Sequence, residues 1–407
     1  MSYKSLYRLY LMNNDDVFSN IYKNRFNSDS TIKFDLYIND YQSFFYYDKE
    51  IMALVASIRD YDYRINEIFS SFPDIAKEEY TRKSLIDEVE YTNQIEGVVS
   101  TRKDINDLIK EIENKSKAKN RFEGIVNKYF LLNKEELEIN NSSDIRKIYD
   151  EMLINEIEAE DKKNIPDGRV FRKDTVNVYS TSGNVIHEGL FPEAKIVDYM
   201  DKAIDILNNS SIDILIRVSL FHYFFGFIHP FYDGNGRLNR FISSYVLSKH
   251  FNDIIGFRLS MTIKENLSQY YDAFKFTNDI RNRADISTFV YEFLCIILES
   301  YKKTEIYALN KSRIFKKYDD ILSSISVFDK HKDADYIRGL LFILIQASIF
   351  GDFGLTKADI CKIMKKGNTK VSSYLSELRR YDFCEEARSG KSHYFKANLE
   401  EMDKYEN

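Results

Sequence analysis

Apolar residues recur every three or four positions along most of the chain, which is the spacing of one face of an α-helix. Only four prolines occur in 407 residues, so long segments lack the residue that most strongly interrupts helices. The pattern predicts a mainly α protein with a helical N-terminal region at 1–139, a helical core at 140–303 and a distinct C-terminal domain at 304–407.

One segment of the core, VFRKDTVNVYSTSGNVIHEGLFP, breaks the helical spacing. Val176 and Val178 alternate with polar residues before the turn residues Ser182, Gly183 and Asn184, which is typical of a short β-hairpin. We expect this segment to form a surface hairpin, here called the flap. A surface excursion without a role is the alternative.

The C-terminal domain has a different order of elements. LTKADICKIMKK and TKVSSYLSELRRY read as two short helices, and FCEEARSGKSHYFKA reads as a hairpin turning at Ser389 and Gly390, which together predict a winged helix. Residues 355–396 contain ten Lys and Arg but five Asp and Glu, so a basic face for DNA is available. Winged helices also bind proteins or act as spacers, so DNA binding is one of three alternatives for this domain.

Composition and charge limit the class of protein. Charged residues make up 30% of the chain and hydrophobic residues 44%, as in ordinary soluble domains. The formal net charge of −6 provides no overall field for nucleic acid or an anionic membrane. The cysteines Cys295, Cys361 and Cys384 are far apart, and the N-terminus lacks the apolar core of a signal peptide. We expect a cytoplasmic protein with no membrane partner.

The stretch IHPFYDGNGRLNRF combines two glycines with several charges in a glycine-poor chain. The run before it predicts a buried helix ending near Gly226, and LNRFISSYVL resumes helical spacing after it. The stretch is therefore a loop that leads into a helix N-terminus, where free N–H groups favour an anion. Gly234, Asn235 and Gly236 can adopt the conformations that turn successive N–H groups toward phosphate oxygens.

The polar side chains of this loop suit a nucleotide. Arg237 and Arg240 share a face in the first helical turn, where cations are unfavourable unless an external anion such as a polyphosphate is bound. Asp233 offers an oxygen ligand for Mg²⁺ beside the phosphates, and His229 can act as general base toward a hydroxyl. Phe231 is expected to anchor the loop by packing.

These residues carry a resemblance: HPFYDGNGRLNR is similar at every position to the signature of Fic proteins, His-Pro-Phe-x-Asp/Glu-Gly-Asn-Gly-Arg-x-x-Arg. The resemblance implies a helical Fic fold and transfer of AMP from ATP, with Mg²⁺, to a Ser, Thr or Tyr hydroxyl of a target protein or of the chain itself. It implies His229 as base, Asp233 as metal ligand, Gly234 through Arg237 as phosphate contacts and Arg240 as the contact of the distal phosphate.

The same resemblance extends to neighbouring segments. YYDAFKFTND resembles the helix that faces the nucleoside, which implies that Tyr271 and Asn278 lie near adenine or ribose; helix packing and a helix cap are the alternatives. Family members hold the target segment against the flap by strand addition. A related branch, resembling Doc toxins, transfers the terminal phosphate and carries lysine where this chain has Gly236, so the glycine favours nucleotidyl transfer over that alternative.

A second motif lies upstream, in SLIDEVEYTNQIEGVV. Thr92 and Glu96 lie on one face of a predicted helix at about 79–97 that Gly97 ends, so a carboxylate meets the negative end of the helix dipole. The segment resembles the Fic inhibitory motif, Ser/Thr-x-x-x-Glu-Gly/Asn, which implies that Glu96 pairs with Arg240 and excludes the γ-phosphate. A solvated glutamate is the alternative, and a role in removing AMP from targets is also open. The sequence leaves a homodimer open as well.

Overall fold

The structure, a computed structural model, describes residues 3–114, 120–179, 185–389 and 392–406. It divides into two compact units, one comprising Met1–Asp62 with Leu85–Lys302 and the other Tyr63–Ser84 with Lys303–Asn407. The domain boundaries at 139 and 303 stay a prediction. The described residues are mainly helical, as the spacing predicted.

The α-helices are α1 (Leu6–Met12), α2 (Asp15–Phe26), α3 (Lys49–Ser70), α4 (Asp74–Ile95), α5 (Arg102–Glu113), α6 (Glu123–Leu131), α7 (Ser142–Glu160), α8 (Glu193–Asn208), α9 (Ile214–Ile228), α10 (Asn235–His250), α11 (Leu259–Glu265), α12 (Leu267–Asn278), α13 (Ser287–Ser324), α14 (Ala334–Phe350), α15 (Lys357–Met364), α16 (Asn368–Arg380) and α17 (Leu399–Asp403). The strands are β1 (Thr31–Ile38), β2 (Tyr41–Tyr46), β3 (Asn177–Tyr179), β4 (Val185–Glu188), β5 (Leu355–Thr356), β6 (Cys384–Ser389) and β7 (Ser392–Ala397). Short 3₁₀ helices occur at Lys162–Asn164, Asp253–Phe257 and Ile280–Asn282.

The N-terminal region contains a β-hairpin that corrects the expectation of helix throughout. β1 and β2 pair antiparallel, with Ile38 opposite Tyr41. Asn39 and Asp40 connect the strands with positive φ angles of 46° and 67°, as in the two-residue turns that favour Asn and Asp. Burial alternates along the second half of β1. The period of two and the Asn-Asp turn were the signals for this hairpin in the sequence.

Helices α9 and α10 form the buried centre of the first unit, and the motif loop at 229–234 connects them. Every residue of α9 except Arg217 and Gly226 is buried, as expected of a helix that is apolar all round. The helix ends at Ile228, which corrects the predicted end near Gly226. Gly226 lies within α9, where the ring of Phe274 leaves no room for a side chain: a Cβ atom there would be 2.6 Å from Phe274 Cε1.

The flap is present as a small antiparallel hairpin. β3 pairs with β4, with Val178 opposite His187 and an irregularity before Tyr179. The predicted turn residues Ser182, Gly183 and Asn184 lie outside the described residues.

In the second unit, α15 and α16 are followed by β6 and β7, and the sheet order is β5-β7-β6. Thr356 begins α15 with a capping box formed with Asp359. The predicted turn residue Ser389 is the last of β6, whereas Gly390 lies outside the described residues.

Helix α16 contributes cations to the basic face that is available for DNA, and acidic residues accompany two of them. Arg379 pairs with Glu386, and Arg380 with Glu377. Binding to DNA stays a prediction. No helix among the described residues is long and apolar enough to cross a membrane, and a cytoplasmic location stays a prediction.

Candidate functional site

The motif loop begins with His229 in an unusual backbone conformation. His229 caps the C-terminus of α9 with φ 51° and ψ 65°, a left-handed conformation that costs a non-glycine residue free energy and is often found at functional sites. Phe231 anchors the loop, since it is fully buried and stacks on Tyr149 with ring centroids 3.7 Å apart. Phe171 contacts the same ring edge-on at 5.4 Å.

The backbone between Phe231 and α10 is held by Asn235 and requires glycine at Gly234. The Asn235 side chain accepts from the Phe231 N–H at 2.9 Å and donates to the Phe231 carbonyl at 2.8 Å. Gly234 has φ 81°, and a Cβ atom there would be 2.8 Å from Leu153 Cδ1. The loop thus delivers the chain into α10, whose first turn has no side-chain cap. Its leading N–H groups are therefore available to an anion.

Arg237 is fully buried behind this helix N-terminus. Its Nη1 donates to Glu156 Oε1 of α7 at 2.5 Å, and its Nη2 lies 3.6 Å from Asp233 Oδ1. Within the described part of the chain, Arg237 Nε and Nη2 have no hydrogen-bond partner although they are buried. Unpaired donors of a buried guanidinium are costly unless a ligand or water accepts from them. The unpaired Nε and Nη2 of Arg237 are therefore suited to a phosphate bound at the N-terminus of α10.

Glu156 was not singled out in the sequence. It interrupts the apolar stripe of α7 that includes Met152, Leu153 and Ile157, and a carboxylate in an inward stripe was the available signal. Burial raises the pKa of Glu156, although Arg237 opposes the shift.

The residues present fit Mg²⁺ only together with a nucleotide. Asp233 has a side chain that is 35% exposed, and the described residues contain no group of three His, Cys, Asp or Glu side chains that could hold a metal ion. Mg²⁺ commonly binds one or two carboxylates and completes its shell with phosphate oxygens and water. One carboxylate beside unpaired phosphate-binding donors matches that donor set.

Arg240 is buried and forms its hydrogen bonds with residues at the end of α4. It is 1% exposed, and its Nη2 donates to Glu96 Oε1 at 2.7 Å. Its Nε donates to Thr92 Oγ1 at 2.9 Å, and its Nη2 also donates to the Thr92 carbonyl at 3.0 Å. α4 ends at Ile95, and Gly97 follows with φ 76°, so Glu96 lies in the turn that leaves the helix. The structure thus brings Thr92, Glu96 and Arg240 together.

The Glu96 carboxylate also lies over the first turn of α10. A Cβ atom at Gly236 would collide with Glu96 Oε1 and would lie 2.9 Å from Arg240 Nη1. Burial raises the pKa of Glu96, but Arg240, Arg237 and His229 lower it, and the net direction is downward. Glu96 is therefore a carboxylate at neutral pH, within the space that an anion at the helix N-terminus would use.

A second acid of α4, Glu88, lies beneath Arg240 and was also missed. It is fully buried and accepts from the Ser260 N–H at 2.8 Å and the Ser260 hydroxyl at 2.5 Å. Burial raises the pKa of Glu88 to about 7, against the opposing effects of Ser260 and Arg240. Glu88 precedes Thr92 by four residues on the same helical face, so the spacing that pointed to Glu96 also pointed to Glu88.

His229 is a neutral imidazole at pH 7. Burial and the nearby His187 and Arg172 lower the pKa of His229 to about 4, although Glu96 acts in the opposite direction. A neutral ring can accept a proton from a hydroxyl, which is the requirement for a general base.

Tyr271 and Asn278 occupy different surroundings on α12. Burial raises the pKa of Tyr271, and Glu96 adds to this while Arg240 opposes it, so Tyr271 lies within electrostatic range of that pair. The Asn278 side chain instead accepts from the Tyr223 hydroxyl at 2.7 Å. Within the described residues no hydrogen bond links Asn278 to Arg240.

Tyr270, which the sequence analysis did not select, is buried next to Tyr271 on α12. Burial raises the pKa of Tyr270, although the charge of Arg240 opposes the shift. Its hydroxyl contacts His222 Nε2 at 2.8 Å. His222 is fully buried, with its Nδ1 2.8 Å from the Ser243 hydroxyl, and therefore belongs to the core.

Comparisons with known proteins identify the domain that carries this loop. Residues 139–247 match the model of the Fic/DOC family. None of the curated proteins compared with the chain matches it. Among solved structures, a Fic family protein from Desulfovibrio desulfuricans G20 is similar over 86% of this chain and 96% of its own, with 17% identity and a TM-score of 0.48.

Two further solved structures are similar over 64% of this chain. Fic-1 from C. elegans has 19% identity, 74% of its own chain covered and a TM-score of 0.43. A Fic domain containing signaling protein from Bacteroides thetaiotaomicron VPI-5482 has 16% identity, 97% covered and a TM-score of 0.38. The match at residues 139–247 spans α9, the motif loop and all but the last three residues of α10, so the chain contains a Fic/DOC family domain.

Proposed function

We propose that the chain is a protein adenylyltransferase, which transfers AMP from ATP to a Ser, Thr or Tyr hydroxyl and is inhibited by its own Glu96. The observation that carries the proposal is the combination of a neutral His229 with an uncapped helix N-terminus and two buried arginines, Arg237 and Arg240. A triphosphate satisfies the unpaired donors of that arrangement, and a hydroxyl needs the base.

The transfer exchanges one bond at the α-phosphorus for another, with His229 as the proton acceptor. The hydroxyl oxygen of the target attacks the α-phosphorus while His229 accepts the hydroxyl proton. The bond from the α-phosphorus to the oxygen that bridges to the β-phosphorus breaks, and pyrophosphate leaves with that electron pair. Arg237 and the first N–H groups of α10 stabilise the charge that develops on the phosphate oxygens.

Asp233 would hold Mg²⁺ together with the phosphates, and the bound ion would neutralise phosphate charge. The chain's own residues orient the nucleotide around it, since Arg237 approaches Asp233 from the buried side at 3.6 Å. Gly236 stands where the branch that resembles Doc toxins carries lysine, and this difference supports nucleotidyl transfer rather than transfer of the terminal phosphate.

Inhibition follows from competition for Arg240. Glu96 and Thr92 together supply acceptors for Nε and Nη2 of this arginine, so a γ-phosphate would have to displace Glu96. The Glu96 carboxylate also lies against Gly236, where like charge repels the nucleotide. Activation therefore requires removal of Glu96 from this position.

The flap is the proposed docking edge for the target. Among the described strands β3 and β4 pair only with each other, so each has an edge to which an extended segment can add. β4 also lies close to the base, because His187 of β4 lowers the pKa of His229. Self-modification of the chain provides a target for assay without knowledge of the natural one.

The test uses ATP labelled at either the α or the γ position, with Mg²⁺, and the wild type, Glu96→Gly, and Glu96→Gly with His229→Ala. We expect label on protein from the α position only, in Glu96→Gly, with loss of at least about a hundredfold when His229 is absent. Label from the γ position would establish phosphotransfer instead. Absence of protein label from either position in Glu96→Gly would refute the proposed activity.

A further inference from the structure

Arg172 is a fully buried cation near the start of the flap segment. It is 0% exposed. Nε donates to the His229 carbonyl at 2.9 Å, Nη1 to the Asp174 carbonyl at 2.5 Å and Nη2 to the Leu190 carbonyl at 2.8 Å. Its acceptors among the residues that the structure describes are thus three backbone carbonyls and no carboxylate.

A buried guanidinium without a carboxylate partner is expensive, because desolvation is offset only by the carbonyl dipoles. Burial accordingly lowers the pKa of Arg172. The three carbonyls come from three different segments: the start of the flap, the end of the flap and the motif loop. The fork of five N–H donors suits this task, because one lysine ammonium could not reach three acceptors in fixed directions.

Further contacts join the flap segment to the motif loop around Arg172. The Arg172 N–H donates to the Pro230 carbonyl at 3.3 Å, and the Asp174 N–H donates to the Tyr232 hydroxyl at 3.0 Å. A Cβ atom at Gly189 would be 2.5 Å from Arg172 Nη2 and 3.1 Å from His229 Cβ. The end of the flap therefore approaches both the guanidinium and the histidine.

We propose that Arg172 is a positioning residue that holds the His229 backbone in its left-handed conformation and fixes both ends of the flap relative to the imidazole. The inference rests on the proposed transferase function. The His229 N–H donates to the Phe225 carbonyl of α9 at 2.9 Å, and Pro230 has no N–H to donate. The His229 carbonyl is therefore the group through which the flap segment can hold this turn. A target strand on the flap then presents its hydroxyl at a fixed distance from the base.

The test compares Arg172→Lys and Arg172→Met with Arg146→Lys, all in the Glu96→Gly background. Arg146 is the matched control, because its Nη1 donates at 2.9 Å to the carbonyl of Val170 in the same segment but not to the motif loop. The measurements are transfer of α-labelled AMP to the chain itself, ATP affinity by calorimetry with Mg²⁺, and the melting temperature.

We expect both Arg172 variants to lose transfer by roughly a hundredfold, the cost of a misplaced reacting group. ATP affinity should stay within about twofold, because the phosphate-binding groups are untouched, and the Arg146 control should retain transfer. Transfer equal to that of an active parent overturns the inference alone. If both variants lose ATP affinity and also have a lower melting temperature, the inference is overturned in favour of a purely structural role for Arg172. A parent that binds ATP but transfers nothing overturns the proposed function and the inference with it.

Discussion

Replacing Glu96 with glycine should activate the protein by an amount that follows from one contact. The Glu96 carboxylate accepts a single charge-assisted hydrogen bond from Arg240 at 2.7 Å. Such bonds contribute about 1.5–3 kcal/mol. Because 29% of the Glu96 side chain is exposed, solvent screening places the expected value in the lower half of that range, about 1.5–2 kcal/mol.

This free energy corresponds to about 10- to 30-fold, since each 1.4 kcal/mol is tenfold in an equilibrium constant. Arg240 should stay in place after the substitution, because both of its hydrogen bonds to Thr92 remain. The glycine backbone should cost little stability beyond the loss of the contact with Arg240, because α4 ends at Ile95. We therefore expect ATP to bind about 10- to 30-fold more tightly, with a matching rise in AMP transfer at subsaturating ATP.

The assay is ATP affinity by calorimetry with Mg²⁺, together with the initial rate of protein labelling from α-labelled ATP. Gln94→Gly is the matched control, because Gln94 lies in the last turn of α4 and is exposed, so it reports the effect of glycine on the helix. Glu96→Gln, which keeps a hydrogen bond but no charge, should give an intermediate gain. A folded Glu96→Gly protein with the affinity and rate of the wild type would show that the pair does not inhibit.

Three more expectations concern the groups around this pair. Gly236→Ala should lower the melting temperature of the wild type through the collision of its methyl group with Glu96, and less so in Glu96→Gly; equal losses in both backgrounds would contradict the contact. Glu88→Gln should remove a pH dependence of stability. The pKa of Glu88 in the folded state, about 7, lies above its ordinary value of 4.5, so its contribution is complete below about pH 4 and is lost as the pH rises through 7, by up to about 3 kcal/mol. Urea unfolding from pH 5 to 8 measures this, and identical pH profiles of variant and wild type would oppose it. Finally, kcat/KM of Glu96→Gly should stay level from pH 8 to below pH 6, because the pKa of His229 is about 4 and loss of Glu96 lowers it further; an acid limb near 6.5 would argue against a base with a lowered pKa.

The motif around Glu96 shows what helical spacing can and cannot predict. Apolar residues four and three apart placed Thr92 and Glu96 on an inward face, which is a local property of a helix with 3.6 residues per turn. The predicted partner of Glu96 was implied by the resemblance to the Fic inhibitory motif, because the spacing of one helical face does not specify which residue packs against it. In the structure that partner is Arg240, separated from Glu96 by 144 positions.

Local sequence determined the helical class, the flap and the motif loop, because periodicity, turn residues and glycine conformations depend on near neighbours. Tertiary structure alone decided that Glu156 pairs with Arg237 across 81 positions and that Arg172 reaches the carbonyl of His229 across 57. It also decided the pKa of the base, since burial and the charges that set it belong to elements distant in the chain. Each of these depends on how helices and loops pack, and the spacing of residues within one element contains no information about its neighbour.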